Sequence, residues 1–248
     1  MIGTRIVIKR GNKDDGERPF WISFSDLMTA LMVVFLLVMS VALLAVTKDV
    51  SGQQHREAER RKDIQSLLSE LKVATRTFND VAVHDEDYQS PYIDFGSLAT
   101  FPLNKSQLTD AQARFLRSYI PNILALADTE KGRKWIKQIV VEGYADNTTG
   151  TYLGNLSLSL RRSQRVVCAL LDQPKFEGSS LSDKQQDQVR KLFLVGGYSS
   201  NSAKSDPALS RRIELKVKFW EINDPDLKEG ESQIGPVMKL GTCALGDE

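Results

Sequence analysis

Gly143-Tyr144-Ala145-Asp146, then Gly150, then Asn155-Leu156-Ser157-Leu158-Ser159-Leu160-Arg161-Arg162-Ser163-Gln164-Arg165-Val166, joins an apolar run to an amphipathic one. The apolar run, residues 135–144, carries Ile136, Ile139, Val140 and Val141 and reads as a buried strand. The amphipathic run, residues 158–171, spaces Leu160, Val166, Val167, Leu170 and Leu171 as one face of a helix. Outward from this pair, residues 92–95 form a short β run, and Thr109 or Asp110 caps a helix carrying Phe115, Leu116, Tyr119, Ile123, Leu124 and Leu126. Residues 192–198 are a third strand ending at Gly196-Gly197, and residues 213–220 alternate Ile213, Leu215, Val217 and Phe219 as a fourth. The order β-α-β-α-β-β predicts an α+β sandwich, with helices laid on a mixed sheet.

N-terminal to this domain the chain changes character. Residues 20–46 hold one carboxylate, Asp26, and residues 27–46 hold no charge at all. About 20 apolar residues suffice to cross a bilayer as a helix. Arg18 and Lys48 flank the run, and Trp21 stands where an interfacial aromatic belongs. A cleaved signal peptide would have a shorter apolar region and a small-residue cleavage site, and the unbroken run around Ala42 and Ala45 makes a poor one. The basic residues before the span (Arg5, Lys9, Arg10, Lys13, Arg18) and after it (Lys48, Arg56, Arg60, Arg61, Lys62) nearly balance, so they leave the orientation open.

Asp26 lies about 12 Å along the helix axis from Arg18 at 1.5 Å per residue, inside the span but toward its N-terminal edge. A carboxylate in the hydrocarbon region costs about 2.5–3.5 kcal/mol on insertion scales. One reading is a helix-entry carboxylate among the headgroups. The other is a group that takes up and releases an ion, and Ser25, Thr29, Ala30, Val33 and Ser40 would share its face and pack against a partner helix. A lone helix cannot enclose a channel, so the second reading requires partners.

Between the span and the domain, Ile64, Leu67, Leu71, Ala74, Phe78 and Val81 step by three and four residues, a short heptad seam. Two arrangements satisfy it: a coiled coil that would dimerise the protein, or a helix lying on its own domain. Ser51-Gly52 marks a possible hinge just after the span. The expected organisation is a cytoplasmic N-terminal segment 1–18, a transmembrane helix 19–47, a periplasmic linker helix 48–85, a domain 86–222 and a tail 223–248.

Composition excludes several classes. A formal net charge of +1 over 248 residues argues against nucleic-acid binding, which needs a basic excess. Two histidines, His55 and His84, both in the linker region, and no Ser/His/Asp set or metal-ligand spacing argue against an enzyme, a resident metal or another cofactor. Cys168 and Cys243 leave room for one disulfide if the domain lies in an oxidising compartment.

Two resemblances follow from these residues. The run with Gly143, Asp146, Asn155, Leu158, Ser159, Arg162 and Val166 resembles the OmpA-like peptidoglycan-binding family, whose signature is Gly-x-Thr-Asp followed by Asn-x-x-Leu-Ser-x-x-Arg-Ala-x-x-Val. Gly197-Tyr198 and Ser210-Arg211-Arg212-Ile213-Glu214-Leu215 resemble that family's later Gly-Tyr-Gly and Asn-Arg-Arg-Val-Glu-Ile. Ala145, Ser210 and one extra residue before Gly150 depart from it. Diaminopimelate in peptidoglycan carries an ammonium and a carboxylate on one centre, which a fixed acid and a fixed arginine can clamp. The expectation is that Asp146 takes the ammonium and Arg162 the carboxylate, with Asn155 and Leu158 as the wall and Arg212 assisting. The alternative makes Asp146 a turn former and Arg162 a surface ion-pair partner.

Trp21-x-x-Phe24-Ser25-Asp26-Leu27-Met28-Thr29-Ala30 is similar to the membrane run of MotB-type stator proteins, and its wording is nearer to the ZorB family of the Zorya anti-phage systems than to flagellar MotB. The resemblance implies a homodimer inside a pentamer of a multi-pass MotA-like or ZorA-like subunit, carrying H+ through Asp26 and gripping peptidoglycan. A flagellar stator or a passive cell-wall tether are the alternatives.

Overall fold

The computed structural model describes residues 18–85, 90–148, 150–171, 180–224 and 243, of residues 18–20 the backbone alone. The expected N-terminal segment and nearly all of the expected tail lie outside the described residues. The chain divides into two compact units, residues 1–56 and 57–248.

The first unit is helical where described: α1, Arg18–Thr75, begins in it. Every side chain from Trp21 to Val50 is exposed, apolar ones included, and this helix is long and apolar enough to cross a membrane. The hinge expected at Ser51-Gly52 is absent, and both residues are helical. A single glycine costs a helix about 1 kcal/mol, too little to interrupt one this long.

In the second unit, the last turns of α1 answer the question left by the heptad seam. Ile64, Leu67 and Leu68 are buried with Ala127, Trp135, Ile136, Val217 and Phe219, and Leu71 joins the main core. Each such side chain contributes about 2 kcal/mol when removed from water, so this segment is docked on its own domain, and the seam is not open to a coiled coil. Polar contacts fix the register: Trp135 Nε1 donates to Asp63 Oδ2, Arg60 Nε donates to the Trp220 carbonyl, and the Thr75 hydroxyl lies 2.9 Å from the Tyr119 hydroxyl.

Five strands form one sheet in the order β1-β2-β5-β3-β4: β1 (Ala82–His84), β2 (Tyr92–Asp94), β3 (Ile136–Gly143), β4 (Phe193–Gly197) and β5 (Ile213–Phe219). The β3–β4 pair is parallel and the other pairs are antiparallel. Helices α2 (Asp110–Ala127), α3 (Glu130–Trp135), α4 (Tyr152–Leu171), α5 (Asp183–Leu192) and the short α6 (Pro207–Ser210) complete the domain. The core lies between one sheet face, with Ile93, Ile139, Val141, Ile213 and Leu215, and the inward sides of α2 and α4, with Leu116, Tyr119, Ile120, Ile123, Val166 and Leu170. A Thr109/Gln112 capping box starts α2, and a Ser182/Gln185 box starts α5.

The α+β sandwich expected from the sequence is the fold observed, with three differences. Trp135 ends α3 instead of opening a strand. Helix α4 begins at Tyr152, six residues before the periodic signal. Strand β1 and helices α3, α5 and α6 are additional to the expected order.

Cys168 of α4 is disulfide-bonded to Cys243, 75 residues later. Closing a loop of that length removes about 4 kcal/mol of unfolded-state entropy in the chain model. Reductant, or Cys168→Ser, should therefore lower the thermal midpoint by several degrees. An unchanged midpoint under full reduction would show that the bridge adds nothing.

Candidate functional site

Asp146 stands three residues past the end of β3, in the loop that leads to α4. Close packing makes that junction: a Cβ on Gly143 would lie 2.0 Å from the Ser159 carbonyl oxygen, and one on Gly197 would lie 2.8 Å from the Leu160 nitrogen. Gly143 and Gly197 are register partners on β3 and β4. Two adjacent side-chain-free positions thus let α4 sit directly on the strand ends, with Ser159 fully buried between them.

The Asp146 side chain is 4% exposed and accepts on both oxygens. Oδ1 accepts from the Thr148 amide at 3.3 Å and its hydroxyl at 2.9 Å, and Oδ2 accepts from Arg211 Nη1 at 2.7 Å. Burial opposes ionisation of this carboxyl, but the Arg211 and Thr148 hydrogen bonds and the Arg211 charge outweigh it, holding the group below its ordinary range. Asn155 Nδ2 donates to the Asp146 carbonyl at 3.1 Å, fixing the loop from inside, and Asn155 is itself buried. Leu158 is half-buried on α4.

Arg162, expected to take the ligand carboxylate, makes its hydrogen bonds to backbone carbonyls and none to Asp146. Arg162 is fully buried and spends its guanidinium on backbone carbonyls: Nε on Lys105 at 2.9 Å, Nη1 on Tyr144 at 2.6 Å and Nη2 on Pro102 at 3.4 Å. It also lies over the Phe101 ring. Burial first, and the Arg211 charge, bring its pKa down to about 10, while Asp146 opposes the shift. Arg162 is thus a cationic rivet between the 101–105 loop and the end of β3, close behind Asp146. Arg212 is buried, with Nε on Glu214 Oε1 at 2.6 Å and its guanidinium over Tyr144. The arginine that reaches Asp146 is Arg211, 17% exposed, whose Nε donates to the Phe101 carbonyl at 2.9 Å. A readable sign existed. Ile213 and Leu215 face the core, so Arg212 and Glu214 share the opposite face and pair with each other, which leaves Arg211, just before β5, for the loop.

In the membrane helix, Ser25, Asp26, Thr29, Ala30, Val33 and Ser40 are all exposed on α1. The Thr29 hydroxyl donates to the Ser25 carbonyl at 2.7 Å and the Ser40 hydroxyl to the Leu36 carbonyl at 2.8 Å, so both donors are satisfied within the helix and their oxygens can still accept.

The family described as Membrane MotB of proton-channel complex MotA/MotB matches residues 8–48. The Zorya protein ZorB of Escherichia coli O139:H28 (strain E24377A / ETEC) is 40% identical over 245 residues, covering 99% of this chain and 98% of the relative. The Zorya protein ZorB of Escherichia coli strain ATCC 8739 is 27% identical over 242 residues, 86% of this chain and 93% of the relative. Among solved structures, the cell wall anchor of the T6SS from Pseudomonas aeruginosa is 20% identical with a TM-score of 0.40, covering 62% of this chain and 97% of that one. A putative MotB like protein from Desulfovibrio vulgaris is 13% identical with a TM-score of 0.44, covering 67% and 97%. On the strength of the full-length relation to the first of these, the chain belongs to the ZorB family of Zorya proteins.

Proposed function

We propose that this chain is the wall-anchored, stator-like subunit of a Zorya complex, fixed by its domain to peptidoglycan and carrying an ion, H+, through Asp26. The observation that carries the reading is the full-length relation to a Zorya protein, joined in one chain to an acid inside an exposed apolar helix. The role is mechanical and conductive, not enzymatic. The apolar surface from Trp21 to Val46 needs lipid and partner helices, supplied by a second copy and by a multi-pass subunit of the MotA kind. A disulfide persists in oxidising compartments, which supports an orientation with the N-terminus cytoplasmic and the domain periplasmic.

For the wall contact, the resting Asp146–Arg211 pair is matched to a zwitterionic centre such as that of diaminopimelate. The ligand ammonium takes the place of Arg211 at Asp146, and the ligand carboxylate takes the place of Asp146 at Arg211. Charge is balanced before and after, and buried Arg162 holds the frame rigid while adding positive potential behind the carboxylate.

Asp146→Asn and Arg211→Gln should each cost about 2–5 kcal/mol of sacculus binding, a loss of roughly thirtyfold or more, measured at a temperature where each variant is still folded. Because the folded-state pKa of Asp146 is depressed, binding should persist into mildly acidic solution. It should fail only as the pH drops through that lowered value. Undiminished pull-down of both variants by purified peptidoglycan would overturn this assignment of the wall site.

A further inference from the structure

Helix α4 is built with arginines and no carboxylate. Its 20 residues, Tyr152–Leu171, include Arg161, Arg162 and Arg165 but neither Asp nor Glu. Arg162 points inward and is engaged by backbone carbonyls. Arg161 and Arg165 turn the other way, away from the buried stripe of Ser159, Ser163, Val166 and Leu170. Four residues apart, they stand one above the other and repel. A guanidinium stays charged at any ordinary pH, so losing a proton offers no relief. The neighbouring helix adds to the excess: α2 supplies Arg114 and Arg117, with Asp110 as its only acid, and Arg117 Nε donates to the Ala169 carbonyl of α4 at 2.7 Å. Arg161 and Arg165 are nonetheless half-buried, and both Nε atoms are closed to water. The next position on their side of the helix is Cys168, three residues after Arg165 and seven after Arg161. Cys168 is the half-cystine that holds Cys243, with the two Cα atoms 5.9 Å apart. Residues 244–248, which follow Cys243 and lie outside the described residues, read Ala-Leu-Gly-Asp-Glu.

We propose that the outward face of α4 is a docking surface for residues 244–248 of the same chain, with Asp247 and Glu248 paired to Arg161 and Arg165 and the Cys168–Cys243 bridge as the tether. The reach is sufficient. Four residues past Cys243 extend to about 14 Å. Arg165 and Arg161 lie about 4.5 and 10.5 Å from Cys168 along the helix axis, at 1.5 Å per residue. Gly246 lets the segment turn onto the helix. The tether supplies what exposed ion pairs lack. A pair between two flexible, solvated side chains is weak, because ordering them nearly cancels the attraction. A short tether makes the encounter intramolecular, at an effective concentration in the millimolar range, without any further contact. The bridge therefore does more than close a loop: it holds an acidic segment over an arginine pair, and reduction releases that segment and opens the face.

The test is arginine modification by phenylglyoxal on the full-length protein in detergent, followed residue by residue by peptide mass spectrometry. With the bridge closed, Arg161 and Arg165 should react several-fold more slowly than after reduction, while exposed Arg76 reacts at one rate throughout. Arg162, fully buried, should stay unreactive and so report that the domain is folded in every sample. The double variant Asp247→Asn, Glu248→Gln should show the faster rates even with the bridge closed. Cys168→Ser should show them too, and adding the two acid substitutions to it should change nothing further. Glu229→Gln with Glu231→Gln makes the same charge change elsewhere in the tail and should leave the rates as they were. Slow modification that persists in the Asp247→Asn, Glu248→Gln protein would overturn the proposal and give the arginines to Asp172 or Glu177, just beyond α4. An equal response to the Glu229 and Glu231 substitutions would overturn it as well, by reducing the effect to net charge. So would an equal response to the Asp247 and Glu248 substitutions with and without the bridge, since the tether would then contribute nothing.

Discussion

Asp26→Asn is expected to abolish protection against phage while the protein accumulates normally and still co-purifies with its membrane partner. Asparagine keeps the size and polarity of the side chain but cannot exchange a proton or bind a cation as an anion does. It also inserts into the bilayer at lower cost than a carboxylate, so a loss of function cannot be blamed on failed insertion. The energy at stake is about 2.3 kcal/mol for each charge moved through 100 mV of membrane potential, and every turnover would forfeit it. Asp26→Glu retains the acid but moves it by one methylene, so reduced activity is expected. A passive tether predicts the reverse for asparagine, because the wall site around Asp146 and the apolar helix are untouched. Full protection by an Asp26→Asn protein at normal abundance would refute ion carriage and leave the anchor alone.

The exposure of α1 makes this outcome a matter of partnership as well as of chemistry. Thr29 and Ser40 satisfy their hydroxyl donors on their own helix, so neither demands a polar neighbour. Asp26 has no such local solution available from an acceptor-only group. In a helix that served only as an anchor, a carboxylate there would add an insertion cost of about 3 kcal/mol and no function.

Strong periodicity was what made parts of the domain legible. Residues 213–219 alternate because one face of β5 is core and the other carries Glu214, Lys216 and Lys218, so strand and facing both follow from the letters. Helix α5 was hidden because its ten residues, Asp183–Leu192, include only Val189 and Leu192 as apolar members, and Gln186 is buried in place of a hydrophobe. Its capping box, Ser182 with Gln185, was the signal available. The first turn of α4 was hidden because Tyr152, Leu153, Gly154 and Ser157 are all exposed and show no apolar stripe. The family motif put Asp146 and Asn155 in one place, and Asn155 Nδ2 does donate to the Asp146 carbonyl. The motif could not tell which of three arginines hydrogen-bonds Asp146, since that depends on strand parity for Arg212 and on depth of burial for Arg162.

Gly143→Ala should be among the most damaging single-methyl changes in the domain. The added Cβ would lie 2.0 Å from the Ser159 carbonyl oxygen and 2.9 Å from its carbonyl carbon, both backbone atoms of a buried helix. Neither can rotate away as a side-chain tip could. Relief requires α4 to lift from β3, which loosens the packing of Val166 and Leu170 against Ile139 and Val141. Overpacking of this kind costs about 3 kcal/mol or more, near 10 °C in the midpoint for a domain of this size. The strain also lies three residues from Asp146, so sacculus binding should fall at temperatures where the domain is still folded. Gly196→Ala is the matched control on the neighbouring strand. Its Cβ would meet the Tyr198 ring edge at 3.1 Å, a side chain exposed enough to move, and Val140 Cγ1 at an ordinary 3.6 Å, and a loss below about 1 kcal/mol is expected. Midpoints for the two alanine variants within 2 °C of each other would mean that close approach of α4 to the strand ends is not what these glycines provide.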